Sequence, residues 1–348
     1  MNICKLGDIA KFTTGKLNSN AAQDNGKYPF FTCAPEALKI DDYAFDTEAI
    51  ILAGNNADGN FHIQHFKGKF NAYQRTYVIE SSDENKVYTK YLYYALKTCL
   101  LHFKQISQGS ATKFLTAKIL NSFELPIPEI EIQKKIAGTL GNLDKKIKTN
   151  EAINENLADQ AQAIYQQYFL IEADPNWPLG HLSDLIDVKY GKDHKKLADG
   201  VYPVYGSGGI MRYVERPLYE KESVLIPRKG TLNNVMYVNQ PFWSVDTMFY
   251  TEMKQANVAK FVYHFVKSKD LASMNSGSAV PSMTTAILNA LELRIPSAEA
   301  LLQFENSVAP MYEMMKKNEN QSRKLTELRD ALLPKLMSGE IDISSLNI

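Results

Sequence analysis

Two short loops hold the residues of this chain best suited to recognition chemistry. The first, Gly54-Asn55-Asn56-Ala57-Asp58-Gly59-Asn60, is polar and flanked by glycines. The carboxamides of Asn55, Asn56 and Asn60 carry the donor–acceptor pair that matches an adenine edge, and their small neighbours permit close approach. The second, Pro227-Arg228-Lys229-Gly230-Thr231-Leu232-Asn233-Asn234, stands at the matching place in a second half of the chain. Arg228 and Lys229 suit guanine O6/N7 or a phosphate, with Thr231, Asn233 and Asn234 as further polar contacts. Gln74-Arg75 lies opposite a stretch containing Thr247 in the same comparison, and Gln108-Gly109-Ser110 lies opposite Ser276-Gly277-Ser278. The backbone N–H groups and hydroxyls of these last two, Ser110 and Ser278 included, suit phosphate. Tyr205 and Ser207 belong to another Gly-rich loop, and Lys16 and Lys192 each follow a glycine. A solvated turn accounts for any one of these loops. Their recurrence at equivalent places in two halves is what marks them as a candidate DNA-reading surface.

No catalytic constellation accompanies them. Asp174-Pro175-Asn176-Trp177 approaches the [DN]PP[YFW] tetrapeptide of adenine methyltransferases, but Asn replaces the second Pro and no Gly-rich cofactor loop precedes it. Gly15-Lys16 and Gly191-Lys192 lack both the upstream Gly and the Ser/Thr of a phosphate loop. His62 and His65 are three apart in an expected strand, so they point to opposite faces and make a poor metal pair. Asp193 with Lys195 and Lys196 reads as a solvated turn. The chain has the character of a reader and not of an enzyme.

What must position these loops is a repeat. The Pro-free stretch 129–171 has a narrow apolar seam, Ile136, Leu140, Leu143, Ile147, Asn150, Asn154, Leu157, Ala161, Ile164 and Tyr168, in steps of four and three. That is coiled-coil spacing, and such a helix is about 60 Å long. The seam returns as Phe304, Val308, Met311, Met315, Asn318, Ser322, Leu325, Arg329, Leu332 and Leu336, where Phe304 stands 168 residues after Ile136 and Leu336 the same distance after Tyr168. Its polar interruption returns as well. Antiparallel packing of the two helices brings Asn150 and Asn154 to Asn318 and Ser322 as a polar layer that sets the register.

Ahead of each helix runs a mixed pattern of short strands and helices. LSDLIDVKYGK answers LGDIAKFTTGK, KFVYHFVKS answers KYLYYALKT, and SGSAVPSMTTAILNALELRIP answers QGSATKFLTAKILNSFELPIP. The expected organisation is one globular domain over 1–128, a long helix over 129–171, a second domain over 172–297, a second long helix over 298–340 and a tail over 341–348. The fold class is α/β, in the α+β sense, with a twisted sheet and short helices in each domain. An internal repeat of this size sets the architecture.

Composition narrows the classes further. Lys and Arg total 39 and Asp and Glu total 39, so the net charge is zero. That argues against indiscriminate nucleic-acid binding and leaves room for a local basic surface. The three scattered cysteines, Cys4, Cys33 and Cys99, suggest buried thiols in a reducing cytoplasm and not a disulfide frame or a zinc site. No apolar run approaches the roughly 18 residues of a membrane span, and the N-terminus lacks the apolar core of a signal peptide.

Over essentially its full length the chain resembles the specificity (S) subunits of type I restriction–modification systems. The stretches that carry the likeness are LGDIAKFTTGK, LSDLIDVKYGK, VLIPRKGT, QGSATKFLTAKILNSFELPIPEIEIQKKIAGTLGNLDKKI and ELRDALLPKLMSGEI. The resemblance implies that each α/β unit is a target recognition domain reading one half of a split, asymmetric site in double-stranded DNA. It implies two antiparallel helices that hold the domains apart in a pseudo-two-fold arrangement and set the spacer. Two modification subunits would dock on the chain with S-adenosylmethionine and the adenine-N6 methyl-transfer site. A motor-nuclease subunit would add ATP- and Mg-dependent translocation and cleavage. The chain itself would bind no cofactor or metal and have no activity alone. A specificity chain of a bipartite-site type II enzyme looks alike; a stand-alone methyltransferase is the reading from another class. One departure is Leu301-Leu302-Gln303-Phe304 in the second copy against Gln133-Lys134-Lys135-Ile136 in the first, which puts a local partner contact in question.

Overall fold

The run Ala49-Ile50-Ile51-Leu52-Ala53 is apolar at every position, as a strand covered on both faces must be. The computed structural model, which describes residues 2–274 and 282–343, places it so. Ile50 and Leu52 face a core shared with Leu92 and Leu96 from the helix Thr89–Thr98. Ala49 and Ile51 face the other way, against Phe31, Phe70 and Val78. The chain divides into two compact units, Met1–Asn150 with Asn320–Ile348, and Glu151–Glu319.

In the first unit six strands form the main sheet in the order Ala10–Thr14, Thr76–Ser81, Phe45–Ala53, Ile63–Ala72, Tyr28–Phe31, Leu38–Ile40, and two short antiparallel pairs, Asn2–Lys5 with Glu124–Ile127 and Asn55–Asn56 with Lys113–Phe114, stand apart from it. Neighbours are antiparallel except Tyr28–Phe31 with Ile63–Ala72. The second unit repeats the order as Ile186–Tyr190, Met248–Met253, Ser223–Pro227, Met236–Val238, with a separate sheet of Trp243–Ser244, Asp199–Gly206 and Gly209–Val214. The ten-residue strand Ile63–Ala72 is thus split in the second unit into Met236–Val238 and Trp243–Ser244. Framework hydrogen bonds recur by place. Leu6 N donates to Phe123 O at 2.7 Å and Leu182 N to Leu291 O at 2.8 Å. Thr116 caps one short helix by accepting from Ile119 N, and Thr284 caps the other by accepting from Ile287 N, both at 3.3 Å. The stretch KYLYYALKTCLLHFK, which periodicity alone reads as one helix, breaks at Cys99 into Thr89–Thr98 and Leu100–Ile106. The break turns Phe103 into the core.

The first long helix runs Ile130–Gln166 and closes with a wider π turn over Gln167–Ile171; the second runs Ala298–Ser338. Each contributes to both units. Ile136, Ala137 and Leu140 join Leu333 and Leu336 in the first core, and Ala161 and Tyr165 join Phe304 and Val308 in the second. Within each unit the two helical segments run antiparallel. In the first, Arg329 Nη1 donates to Asp144 Oδ1 at 2.8 Å, while Asn150 Nδ2 reaches Ser322 Oγ at 3.2 Å and Gln321 Oε1 at 2.9 Å. In the second, Tyr168 and Ser307 hydroxyls meet at 3.4 Å, Asn154 Nδ2 donates to Met315 O at 3.1 Å, and Asn318 Nδ2 donates to Asn154 Oδ1 at 2.9 Å. The polar interruptions therefore pair Asn150 with Ser322 and Asn154 with Asn318.

Corresponding places in the two units hold different polar networks. In the first, Tyr94 Oη donates to Asp144 Oδ2 at 2.5 Å, and Asp144 also takes Arg329. In the second, the repeat puts His264 at the Tyr94 place and Tyr312 at the Asp144 place. His264 Nε2 lies 2.9 Å from Tyr312 Oη and its Nδ1 lies 2.8 Å from Gln162 Oε1. Lys260 beside them pairs with Glu305 at 2.5 Å. The Gln133/Leu301 departure is internal and not a surface contact. Gln133 is fully buried, accepts from Tyr88 N at 2.9 Å and donates to Lys86 O and Pro128 O at 2.8 Å. Leu301 lies in the apolar core of its unit.

Burial, with the Lys267 ammonium as a second cause, pushes His264 down to about 4 from an unfolded value of 6.5. As pH falls, the unfolded chain takes the proton first. The stability tied to this group is complete above 6.5 and is lost as pH falls from there toward about 4. Between pH 7 and pH 5 the loss is about 2 kcal/mol. In His264→Gln the fall in thermal midpoint over that window should be shallower than in the parent chain. Parallel profiles would show that His264 is not held neutral by burial.

Candidate nucleic-acid interface

The strand Phe45–Ala53 ends at Gly54, where three loops converge. Gly54 N donates to Arg75 O at 2.8 Å, and Leu115 N donates to Gly54 O at 2.9 Å. Asn55 and Asn56 then pair antiparallel with Phe114 and Lys113. A Cβ on Gly54 would lie 2.5 Å from the Arg75 carbonyl, so only glycine permits this approach. The three loops surround a cleft of about 480 Å³ lined by Thr14, Gly54, Gln74, Arg75, Gln108 and Phe114, among others. The Arg75 guanidinium lies over the Phe114 ring, 5.8 Å from its centroid. Gln74 Nε2 donates to Asn18 Oδ1 at 2.7 Å, and Cys33 Sγ donates to Asn55 Oδ1 at 2.8 Å.

The second unit builds the same joint. Arg228 N donates to Thr247 O at 2.9 Å and Met283 N donates to Arg228 O at 2.9 Å. Lys229 pairs antiparallel with Ser282. By these bonds Arg228 stands where Gly54 does, Thr247 where Arg75 does, and Met283 where Leu115 does. The Arg228 guanidinium gives one N–H to Asp246 O at 3.2 Å and lies over the Tyr190 ring at 5.4 Å. Tyr190 is the counterpart of Thr14.

Several residues expected as free readers are loop-builders. Asn56 Oδ1 accepts from Asp58 N at 2.9 Å and Asn60 N at 3.1 Å, which bends the loop. Asn60 Oδ1 accepts from Lys104 Nζ at 2.8 Å. Asn233 has both side-chain atoms engaged: its amide donates to Asp270 Oδ1 and its oxygen accepts from Ala272 N, each at 3.0 Å. The hydrogen bond from Asn233 holds the Asp270 carboxyl below its ordinary value. Asn234 Nδ2 donates to Ser207 O at 2.8 Å. Tyr205 is a correction: its ring is buried in a core with Val204 and Phe242, where burial pushes its hydroxyl up, so it does not belong to the surface.

Lys16, Gln74, Arg75, Gln108, Ser110, Lys192, Lys229 and Thr231 are exposed, and Asn55, Ser207, Arg228 and Thr247 are half-buried. Ser278 lies outside the described residues. Residue-type reasoning missed Phe114, Tyr190 and Cys33. A signal for Tyr190 was present, because it replaces Thr14 immediately before the glycine of the matching motif.

The other candidates resolve as structure. Asp174 Oδ1 accepts from Asn176 N at 2.8 Å, and Arg294 donates to Pro175 O at 2.8 Å, so the Asp-Pro-Asn-Trp tetrapeptide is a pinned turn. Asp193 Oδ1 accepts from Lys195 N at 3.0 Å, again a turn. Among the described residues no group of three or more His, Cys, Asp or Glu is placed to hold a metal, and no helix is long and apolar enough to cross a membrane.

The two Gly-Lys pairs serve the backbone. A Cβ on Gly15 would lie 1.7 Å from Ala72 O, and one on Gly191 would lie 2.0 Å from Val245 O. Each glycine thus lets the chain press against the loop that presents the joint. Gly191→Ala should cost about 1–3 kcal/mol by overpacking. An unchanged urea midpoint would contradict the close approach.

Comparison with known proteins agrees with this geometry. The family model described as "Type I restriction modification DNA specificity domain" matches residues 1–159 and 175–308. The specificity subunit of type I restriction enzyme EcoDI from Escherichia coli is 38% identical over 153 residues, 44% of this chain and 33% of that protein. This chain therefore spans about a third of that relative's length. The specificity subunit of type I restriction enzyme MjaIX from Methanocaldococcus jannaschii is 25% identical over 306 residues, 75% of this chain and 71% of the relative. The crystal structure of a type I restriction–modification S subunit from M. genitalium superposes with a TM-score of 0.67 at 19% identity, covering 97% of this chain and 96% of that one, and so shares the fold. The chain belongs to the type I restriction–modification DNA specificity family.

Proposed function

We propose that each unit of this chain reads one half of a bipartite, asymmetric DNA site within a type I restriction–modification complex. The observation that carries the reading is the joint built twice. The bonds at Gly54 and Arg228 correspond, while the residues at matching places do not: Arg228 replaces Gly54, Thr247 replaces Arg75, and Tyr190 replaces Thr14. A common frame with exchanged contents is what two different half-sites call for. The exposed lysines Lys16, Lys192 and Lys229 supply phosphate contacts. Zero net charge fits a DNA grip shared with partners.

In this reading the long helices set the spacer between half-sites and dock two modification subunits, one for each copy of the repeat. S-adenosylmethionine, ATP and Mg bind the modification and motor-nuclease subunits, and the complex works in the cytoplasm. The chain purified alone should neither methylate nor cleave DNA. Site-specific adenine methylation should appear once the modification subunit is added, and the mass of the complex should show two copies per chain. Methylation by the isolated chain, or saturation at one modification subunit, would overturn the assignment.

A further inference from the structure

Among the described residues, Arg75 and Arg228 are the arginines whose guanidinium lies over an aromatic ring. They are not counterparts in the repeat. The joint bonds put Arg75 opposite Thr247 and Arg228 opposite Gly54, and the rings differ as well, since Phe114 precedes Leu115 at the joint whereas Tyr190 corresponds to Thr14. The two units thus bring the same pair, a guanidinium on a ring, to the same joint from opposite sides of it. Each arginine meets a small partner across the joint, Gly54 in one unit and Thr247 in the other.

Four other arginines have partners that occupy them, and the exposed Arg216 lies over no ring among the described residues. Arg212 pairs with Asp199, and Arg329 with Asp144 and Asp330. Arg294 donates to Pro175 O and Trp177 O, and Arg323 to Asn320 Oδ1. Arg228 gives up one N–H to a backbone carbonyl, and Arg75 has the Phe114 ring. A ring beneath a guanidinium fixes its plane and leaves its in-plane N–H fork directed outward. That fork matches guanine O6 and N7 in the major groove. A cation that only grips phosphate needs no fixed plane, and exposed lysines already serve there.

We propose that each unit reads one guanine through a single ring-backed arginine, Arg75 in the first unit and Arg228 in the second, so that each half-site carries one G·C pair of fixed identity. The proposal rests on the DNA-recognition reading above. Its test is a selection from random duplexes with the full chain assembled with its modification subunit. The parent complex should return two half-sites, each with an invariant G·C pair. Arg75→Gln should change that position to A·T in one half alone, because Gln pairs with adenine N6/N7, with discrimination moved roughly ten- to hundred-fold. Arg228→Gln should do the same in the other half alone. The untouched half-site reports that each variant is folded and assembled. Phe114→Leu, which keeps the arginine and removes its platform, should weaken discrimination at the Arg75 position without favouring A·T. An unchanged preferred sequence with uniformly lower affinity and a shallower salt slope would make the arginines phosphate contacts and overturn the proposal. Half-sites without an invariant G·C pair would overturn it and leave DNA recognition standing. No preferred sequence from the parent complex would overturn both.

Discussion

At the end of the central strand of each unit, one residue donates its amide to the neighbouring strand loop and accepts from the loop that leads into a capped helix. Gly54 does this between Arg75 and Leu115, and Arg228 does it between Thr247 and Met283. Both bonds are made by main chain alone, so they hold whatever side chains stand there. Three loops from distant parts of the sequence are thereby fixed to one another without any contribution from the residues that face outward. The side chains at the joint can change because the frame does not depend on them.

The frame is itself held from behind. Gln133 ties the start of the first long helix to the turn before Thr89–Thr98 through hydrogen bonds with Tyr88 N and Lys86 O, and its buried amide also donates to Pro128 O. The second unit meets the same need with Leu301 in an apolar contact. At the neighbouring place a Tyr–Asp–Arg relay in one unit is matched by a His–Tyr–Gln relay in the other. Each relay is complete among its own members. A half-replaced relay would bury a donor or acceptor without a partner, at about 1–3 kcal/mol. The two units share a plan and have diverged in how they satisfy it.

What the sequence discloses divides along the same line. The two-fold repeat, the long helices and the meeting of their polar interruptions follow from the spacing of apolar and polar residues, which is a local and periodic signal; which residue pairs with which, Asn150 with Ser322 and Asn154 with Asn318, comes from the structure. Composition also located the loops that meet at the joint. It did not show which side chains are spent inside those loops. Asn56, Asn60 and Asn233 have the chemistry of base readers, yet their oxygens bend or anchor the chain. Tyr205 lies in a Gly-rich loop by sequence and in a core by burial. Partners such as Asp270 for Asn233 or Lys104 for Asn60 are tens of residues away, and no periodicity announces them. The break at Cys99 was hidden for a related reason: helical spacing continues through it, and only the buried place of Phe103 requires the turn.

Asparagine and arginine thus have separate tasks at this surface. A short carboxamide reaches its own backbone, so in a loop it is drawn into making the loop. A guanidinium on a three-carbon stem reaches past the backbone and is left over for a ligand unless a carboxylate or carbonyl takes it. Arg212 and Arg329 are held by the carboxylates of Asp199, Asp144 and Asp330, and Arg75 and Arg228 are exceptions to that pairing. The two exceptions with a ring beneath them occur at the same joint of two units that otherwise differ there, one on the strand end and one on the facing turn. Descent from a common ancestor explains the shared joint but not the shared guanidinium, because the two arginines occupy different positions of the repeat.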